Sequence, residues 1–307
     1  GTEANNIAIS QAEALRSERP RLVTSVIEHP ATEKPAARLA SRGHDVVRLA
    51  VDAAGRVDLT EAERAIDSSA ALVTVMHSNN ETGVLQPIAE LARMARRAGA
   101  LVHTDAAQSL GKVPVEVGEL DVDYLSIAGH KLYAPKGVGA LYVRSGAPLV
   151  PLLLGAGHER GLRPGTENVA SIVGLGEACA IASRTLSEEG ARQRGLRDRL
   201  FSAMAGAIAG LSINGGASAR LPNTLSVRFP GVRGDEVLAG APMVAASTGS
   251  ACHDGDHRAS AGILALGLSP EEALGTVRLT LGRHTTQEQV DRAAQALIAA
   301  YRTASGR

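Results

Sequence analysis

Three stretches of the 307-residue chain gather chemically capable side chains just behind an apolar run. ALVTVM (71–76) is followed by His77-Ser78-Asn79-Asn80-Glu81-Thr82-Gly83, ALVHTD (100–105) ends in Asp105 with Gln108 behind it, and DYLSIA (123–128) is followed by Gly129-His130-Lys131. An Asp at one strand end and a Lys two strands later are what a pyridoxal phosphate site needs. The amine condenses with the aldehyde as a Schiff base, and the carboxylate keeps the pyridine nitrogen protonated so that the ring can accept electrons. Each residue alone also has an ordinary reading, Asp105 as the cap of the following turn and Lys131 as a solvated surface lysine.

The runs themselves predict how these residues are positioned. With RLVTSVI (21–27), VVRLAV (46–51) and VGALYV (138–143) they form β-branched segments alternating with helical patterns, which implies a mainly parallel sheet covered on both faces. In such a sheet, ligands sit outside the carboxyl ends of the strands. The clearest helix starts at Pro87, carries Ile88, Leu91, Ala92 and Ala95 on one stripe and stops at Gly99. Beyond residue 165 the chain becomes Ala-rich, and the acidic, Gly-containing SEEG (187–190) reads as a joint. The expected organisation is therefore a large α/β domain over 1–187 and a smaller α+β domain over 188–307. In the latter, 223–229 and 277–282 read as strands, and Ser269–Glu272 and Thr286–Gln289 as capping boxes.

Composition narrows the function classes. Lys+Arg 32 balances Asp+Glu 32, without the basic excess of a nucleic-acid binder. No run approaches the roughly 18 to 20 consecutive apolar residues of a membrane span, so a soluble protein acting away from membranes is expected. Six aromatic residues (Tyr 4, Phe 2, Trp 0) leave few rings to stack on a flat ligand. The two cysteines, Cys179 and Cys252, match no zinc spacing, and a reducing cytoplasm is the default. The opening GTEANN carries neither initiator Met nor leader, so an upstream portion is expected to be missing or removed.

HTDAAQSLGK (103–112), SIAGHKLYAPKGVGALYVR (126–144), HERGLRPGTEN (158–168), STGSACH (247–253) and RLTLGRHTT (278–286) resemble the cysteine desulfurase and selenocysteine lyase group of the class V aminotransferases. The resemblance runs from Gly1 to about Ala300. It implies the aspartate-aminotransferase-like fold of pyridoxal-phosphate-dependent transferases, in a homodimer. It also implies an upstream portion that completes the small domain.

Carried over position by position, the resemblance makes Lys131 the Schiff-base lysine, Asp105 the partner of the pyridinium nitrogen and Gln108 a donor to the ring hydroxyl. His29, in IEHPA, matches the imidazole that stacks on the ring, and so also counts as a catalytic residue, an acid/base near the substrate. Thr2 and His130 match phosphate contacts, and Thr166 the residue that reaches the phosphate of the other subunit's cofactor. Arg278, assisted by Asn80, matches the grip on the substrate carboxylate, and Asn80 is counted among the cofactor contacts as well. Cys252, in the Gly-, Ser- and Asp-rich STGSACHDGDHRAS, matches the thiolate that takes sulfur from bound L-cysteine, leaving alanine and a persulfide for an acceptor protein. Cys179 reads as core packing.

Two positions depart from the family pattern: Ala128, where a phosphate-binding Ser is common in desulfurases of the iron–sulfur type, and Ala259, where a Pro is frequent. Selenocysteine lyases similarly carry an aliphatic residue at the position of Ala128, so release of selenium from L-selenocysteine is the alternative. Plain transamination, with Cys252 a bystander, is a further one. Cys252, His253, Asp254, Asp256 and His257 could also form a metal or sulfur-relay site. Adjacent ligands in so tight a segment cannot all point at one ion, so no metal is expected.

Overall fold

The computed structural model describes residues 1–15, 19–216, 218–248 and 259–306. The chain divides into two compact units: Gly1–Ala50, Val57–Ser78 and Gln86–Thr185 form the first, and Val51–Arg56, Asn79–Leu85 and Leu186–Arg307 the second.

In the first unit, β1 (Arg21–Ser25), β2 (Asp45–Leu49), β3 (Ala70–Thr74), β4 (Leu101–Asp105), β5 (Tyr124–Ala128) and β6 (Gly139–Val143) build a six-stranded sheet in the order β2-β1-β3-β4-β5-β6. All neighbours run parallel except β5 and β6, so the expected mainly parallel α/β sheet is present. Every residue of β3, AALVT, is buried, which is why such strands are apolar throughout instead of alternating. Helices α1 (Thr2–Ala14) and α2 (Pro30–Ser41) pack Ala8, Ile9, Ala12, Ala36 and Leu39 with Leu22, Leu72 and Tyr124 of the sheet. Each large aliphatic side chain so buried contributes about 1.5–3 kcal/mol.

After α3 (Leu59–Ala65), α4 (Ile88–Ala98) buries Ile88, Leu91, Ala92 and Ala95, the predicted stripe, and ends at Gly99 with φ +71°. A single turn, α5 (Val117–Leu120), precedes β5. The strand order reverses between β1 and β3, a topological switch point whose carboxyl side is the expected ligand crevice.

Helix α6 (Val169–Ala205) runs for 37 residues, and SEEG lies inside it as regular helix. The chain therefore makes no break in secondary structure at that joint. One glycine costs a helix about 1 kcal/mol against alanine, too little to interrupt so long a run of good helix formers. The two units divide inside this helix, at Thr185/Leu186.

The second unit holds an antiparallel sheet of β7 (Ser212–Ile213), β8 (Thr224–Arg228) and β9 (Thr276–Thr280), followed or interleaved by α7 (Gly234–Ala239), α8 (Ala261–Leu264), α9 (Pro270–Leu274) and α10 (Gln287–Ala304). Its core joins Leu225, Val227, Val277 and Leu279 to Met204, Leu297 and the stacked rings of Phe229 and Tyr301, 5.8 Å apart. Both predicted capping boxes form, Ser269 with Glu272 and Thr286 with Gln289.

Candidate active site

The residues expected to hold a cofactor emerge at the carboxyl ends of β1, β4 and β5. Asp105 closes β4 and is 9% exposed. Its Oδ2 accepts from Asn5 Nδ2 at 2.7 Å and its Oδ1 from the Ala107 amide at 2.8 Å. Lys131 sits on a 3-10 turn, Gly129–Leu132, directly after β5. Gly129 is required there, because a Cβ would lie 2.8 Å from the Val138 carbonyl oxygen. Lys112 Nζ donates to the carbonyl of Gln108 at 2.8 Å and of Lys131 at 3.4 Å, tying the two turns together. Burial, with repulsion from Lys131 added, pushes its ammonium down to about 8.

His29 caps α2, its Nδ1 accepting from the Ala31 amide at 3.1 Å. The neutral ring therefore carries its proton on Nε2. Burial holds this imidazole below its usual pKa, Asp105 opposes that, and Lys131 reinforces it. The charges on Asp105 and Lys131 thus both act on His29, and the structure brings these three predicted residues together.

Thr2 opens α1 and is exposed, as is His130. Burial, helped by Lys131, lowers the His130 pKa. Ala128 is 5% exposed and packs at the start of α1, where a Cβ on Gly1 would stand 3.1 Å from its own. Thr166 is exposed on a segment held by the Gly165 amide donating to His158 Nδ1.

Several groups in this cluster were given no role by the sequence. Glu28, just before His29, takes Ser25 Oγ at 2.5 Å and the Met76 amide at 3.0 Å on Oε1, joining the ends of β1 and β3. Desolvation pushes its carboxyl up to about 8, despite the two donors, and the charges of Asp105 and Glu33 add to the rise. His103, one residue pair before Asp105 on the same face, is held between Thr74 Oγ1 and Ser126 Oγ, and burial depresses it to about 4. The signal that could have exposed Asn5 is its place in a buried helical stripe with Ala8, Ile9 and Ala12, where an amide needs a partner.

The substrate side of the prediction lies in the second unit. Arg278 stands on β9 and donates through Nη1 to the carbonyl of Asn80 at 2.8 Å. Asn80 thus meets it through its main chain. The turn is fixed by Asn79 Oδ1, which accepts from the Glu81 and Thr82 amides, and by Gly83 at φ +77°, whose Cβ would fall 2.9 Å from Thr224 Cβ. Glu81 Oε1 accepts from Ser260 Oγ at 2.8 Å; burial raises its pKa while Ser260 and Arg278 oppose this. Cys252, with His253, Asp254, Asp256 and His257, lies outside the described residues. Ala259 is partly buried against Ile263, Leu266 and Ala273. Cys179 packs beside Leu132, Ala134 and Ala178, and burial raises its thiol pKa, the inert condition of a packing cysteine. No metal-binding cluster of His, Cys, Asp and Glu occurs among the described residues.

The class-V aminotransferase family model matches residues 1–293. The chain belongs to this family. Similar class-V members include the cysteine desulfurase NifS of Azotobacter vinelandii, 42% identical over 294 residues that make up 95% of this chain and 73% of that one. The cysteine desulfurase of Gluconacetobacter diazotrophicus is 43% identical over 295 residues, 95% of this chain and 74% of that one. Among solved structures, a NifS-like protein superposes with TM-score 0.89 at 35% identity, over 97% of this chain and 80% of its own. SspA in complex with cysteine superposes with TM-score 0.80 at 37% identity, over 93% and 80%.

The residues present fit the pyridoxal phosphate that a class-V fold implies. A buried carboxylate, an imidazole and a lysine stand at or just beyond the carboxyl ends of β4, β1 and β5, and Asn5 Oδ1 on α1, next to Asp105, is buried without a hydrogen-bond partner. Lys131 and Asp105 would hold the ring's aldehyde and nitrogen, Gln108 its hydroxyl, His29 its face, and Thr2 and His130 its phosphate.

Proposed function

We propose that the protein is a pyridoxal-phosphate-dependent cysteine desulfurase, converting L-cysteine to L-alanine and passing the sulfur as a persulfide on Cys252 to an acceptor protein. The observation that carries this reading is the placement of Asp105, its carboxylate held through both oxygens at the end of β4, beside the turn that bears Lys131 directly after the neighbouring strand β5. The cofactor, when bound, supplies an electron sink for the carbanion formed at the substrate α-carbon.

The chain's own groups do the rest. Lys131 takes and returns the α-proton, and Asp105, clamped by Asn5 and the Ala107 amide, would hold the ring nitrogen. His29, its Nδ1 taken by the Ala31 amide, would cover the ring in a chain poor in aromatic side chains. The exposed N-terminus of α1 with Thr2 offers amide donors to the phosphate. The Arg278 fork, anchored on Asn80, receives the substrate carboxylate. Cys252 as thiolate attacks the substrate sulfur: a sulfur–sulfur bond forms and the carbon–sulfur bond breaks, its electron pair staying on the β-carbon, which takes up a proton before the skeleton leaves as alanine.

A cytoplasmic homodimer belongs to the same reading, with the partner subunit's Thr166 reaching the phosphate. Supporting it, Leu153, Leu154, Val169, Ile172 and Val173 are exposed, an apolar set that a second copy would cover. By length and composition α6 could also cross a membrane; Glu177 within it favours a protein interface instead. The division into a large portion, 1–187, and a small one, 188–307, is likewise part of the reading. The acceptor is read as a protein of sulfur metabolism, iron–sulfur cluster assembly included.

One assay tests the function. Cys252→Ala should abolish alanine formation from cysteine, and the unaltered protein should carry a persulfide on Cys252, trapped by alkylation and seen by mass spectrometry. Turnover that survives in the variant, with no persulfide in the parent, rejects the proposal. Selenocysteine lyase activity is the second reading, favoured by the aliphatic Ala128 at the end of β5, packed against Gly1; selenide and sulfide release measured side by side discriminate the two.

A further inference from the structure

Asn5 is 1% exposed on α1, whose other buried residues are Ala4, Ala8, Ile9, Ala12 and Gln11, the last with its amide paired to the Val150 main chain. Packing alone would be served there by an aliphatic side chain, since burying a primary amide costs free energy unless it is paired. The pairing is specific. Nδ2 places one hydrogen on Asp105 Oδ2 at 2.7 Å and the other on Thr32 Oγ1 at 3.3 Å. An ionised carboxylate only accepts, so the nitrogen must be the amide atom that faces it. Oδ1 is left buried with no hydrogen-bond partner.

The two groups that meet at this amide, Thr32 and Asp105, lie on elements whose other residues are assigned to different parts of one ligand. Asn5 lies one turn inside α1, whose first residue is Thr2; Thr32 lies on α2, whose cap is His29; and Asp105 closes β4. The Ala107 amide holds the other carboxylate oxygen at 2.8 Å, so Asp105 is clamped through both oxygens. Donors to a charged acceptor make stronger and more directional bonds than neutral pairs.

We infer that Asn5 is a positioning residue: its amide fixes the Asp105 carboxylate in the orientation that receives the cofactor's ring nitrogen, and ties that carboxylate to the helices bearing the phosphate and ring-stacking contacts. The inference rests on the proposed role of Asp105, and the experiment separates the two.

The dissociation constant for pyridoxal phosphate is measured by titrating the visible absorbance of the apoprotein, for the unaltered protein, Asn5→Leu, Asp105→Ala and the double variant. Asn5→Leu should weaken binding about tenfold or more, the loss of one hydrogen bond to a charged group. In the Asp105→Ala background the same change should cost no more than about twofold, because its effect acts through the missing carboxylate. Asn5→Ala, measured for the pH midpoint of the cofactor's visible band, gives a readout that packing alone would not move; the midpoint should shift, whereas it should stay put in Thr32→Val. Additive losses in the cycle, or an unmoved midpoint in Asn5→Ala, overturn the inference while leaving Asp105 in place. An unaltered protein that binds no pyridoxal phosphate overturns the role of Asp105 and the inference with it.

Discussion

Arg278 reaches the carbonyl of Asn80 through Nη1 at 2.8 Å, a contact between residues 198 positions apart. It fixes one corner of the guanidinium and so orients the Nε and Nη2 donors, whose parallel geometry matches a carboxylate. A lysine would keep the charge and lose both the anchor and the fork. Arg278→Lys should therefore raise KM for cysteine by about tenfold or more, with a smaller effect on kcat, as expected for loss of a hydrogen bond to a charged group. Steady-state kinetics check this; an unchanged KM would remove Arg278 from substrate binding.

Glu28 makes the protein's stability depend on alkalinity. Its folded pKa, about 8, lies above the ordinary 4.5, so the fold binds this proton more tightly than the unfolded chain does. The stabilisation is complete below pH 4.5 and is lost as pH rises through about 8, at up to about 1.4 kcal/mol per pH unit. Glu28→Gln mimics the protonated carboxyl and should flatten that dependence. Urea unfolding at several values across this range measures it, and parallel profiles for the two proteins would contradict the burial argument.

Shared sites predict complementation between damaged subunits. Lys131→Ala and Thr166→Ala proteins should each be inactive or nearly so. Heterodimers formed by mixing them would place both lesions in one site and leave the other intact. Activity should rise towards about a quarter of the unaltered level in a random mixture, half of whose dimers are mixed and have one good site. A mixture no more active than its better parent would count against sharing.

Much of this architecture was written locally. The strands, the α4 stripe from Ile88 to Ala95 and both capping boxes depend on short-range periodicity and on side chains three residues apart, which a linear sequence displays directly. The strand-end positions of Asp105 and Lys131 follow from the same patterns, because a parallel sheet delivers whatever comes next to one edge. The family motifs supplied the roles.

What the sequence by itself determined, then, was which elements form and which chemical groups terminate them. Tertiary structure decided which distant groups meet. Asn5 finds Asp105 across 100 positions and Glu28 finds the Met76 amide across 48, and no periodicity encodes either pairing. Segments 51–56 and 79–85 join the second unit although the chain order places them in the first half, and α6 carries the chain unbroken through the glycine that reads as a joint. The physical reason is common to all of them. Local propensity differs by about 1 kcal/mol or less per residue, whereas burying a carboxylate or an amide demands a partner worth more than that, and only the folded chain supplies one.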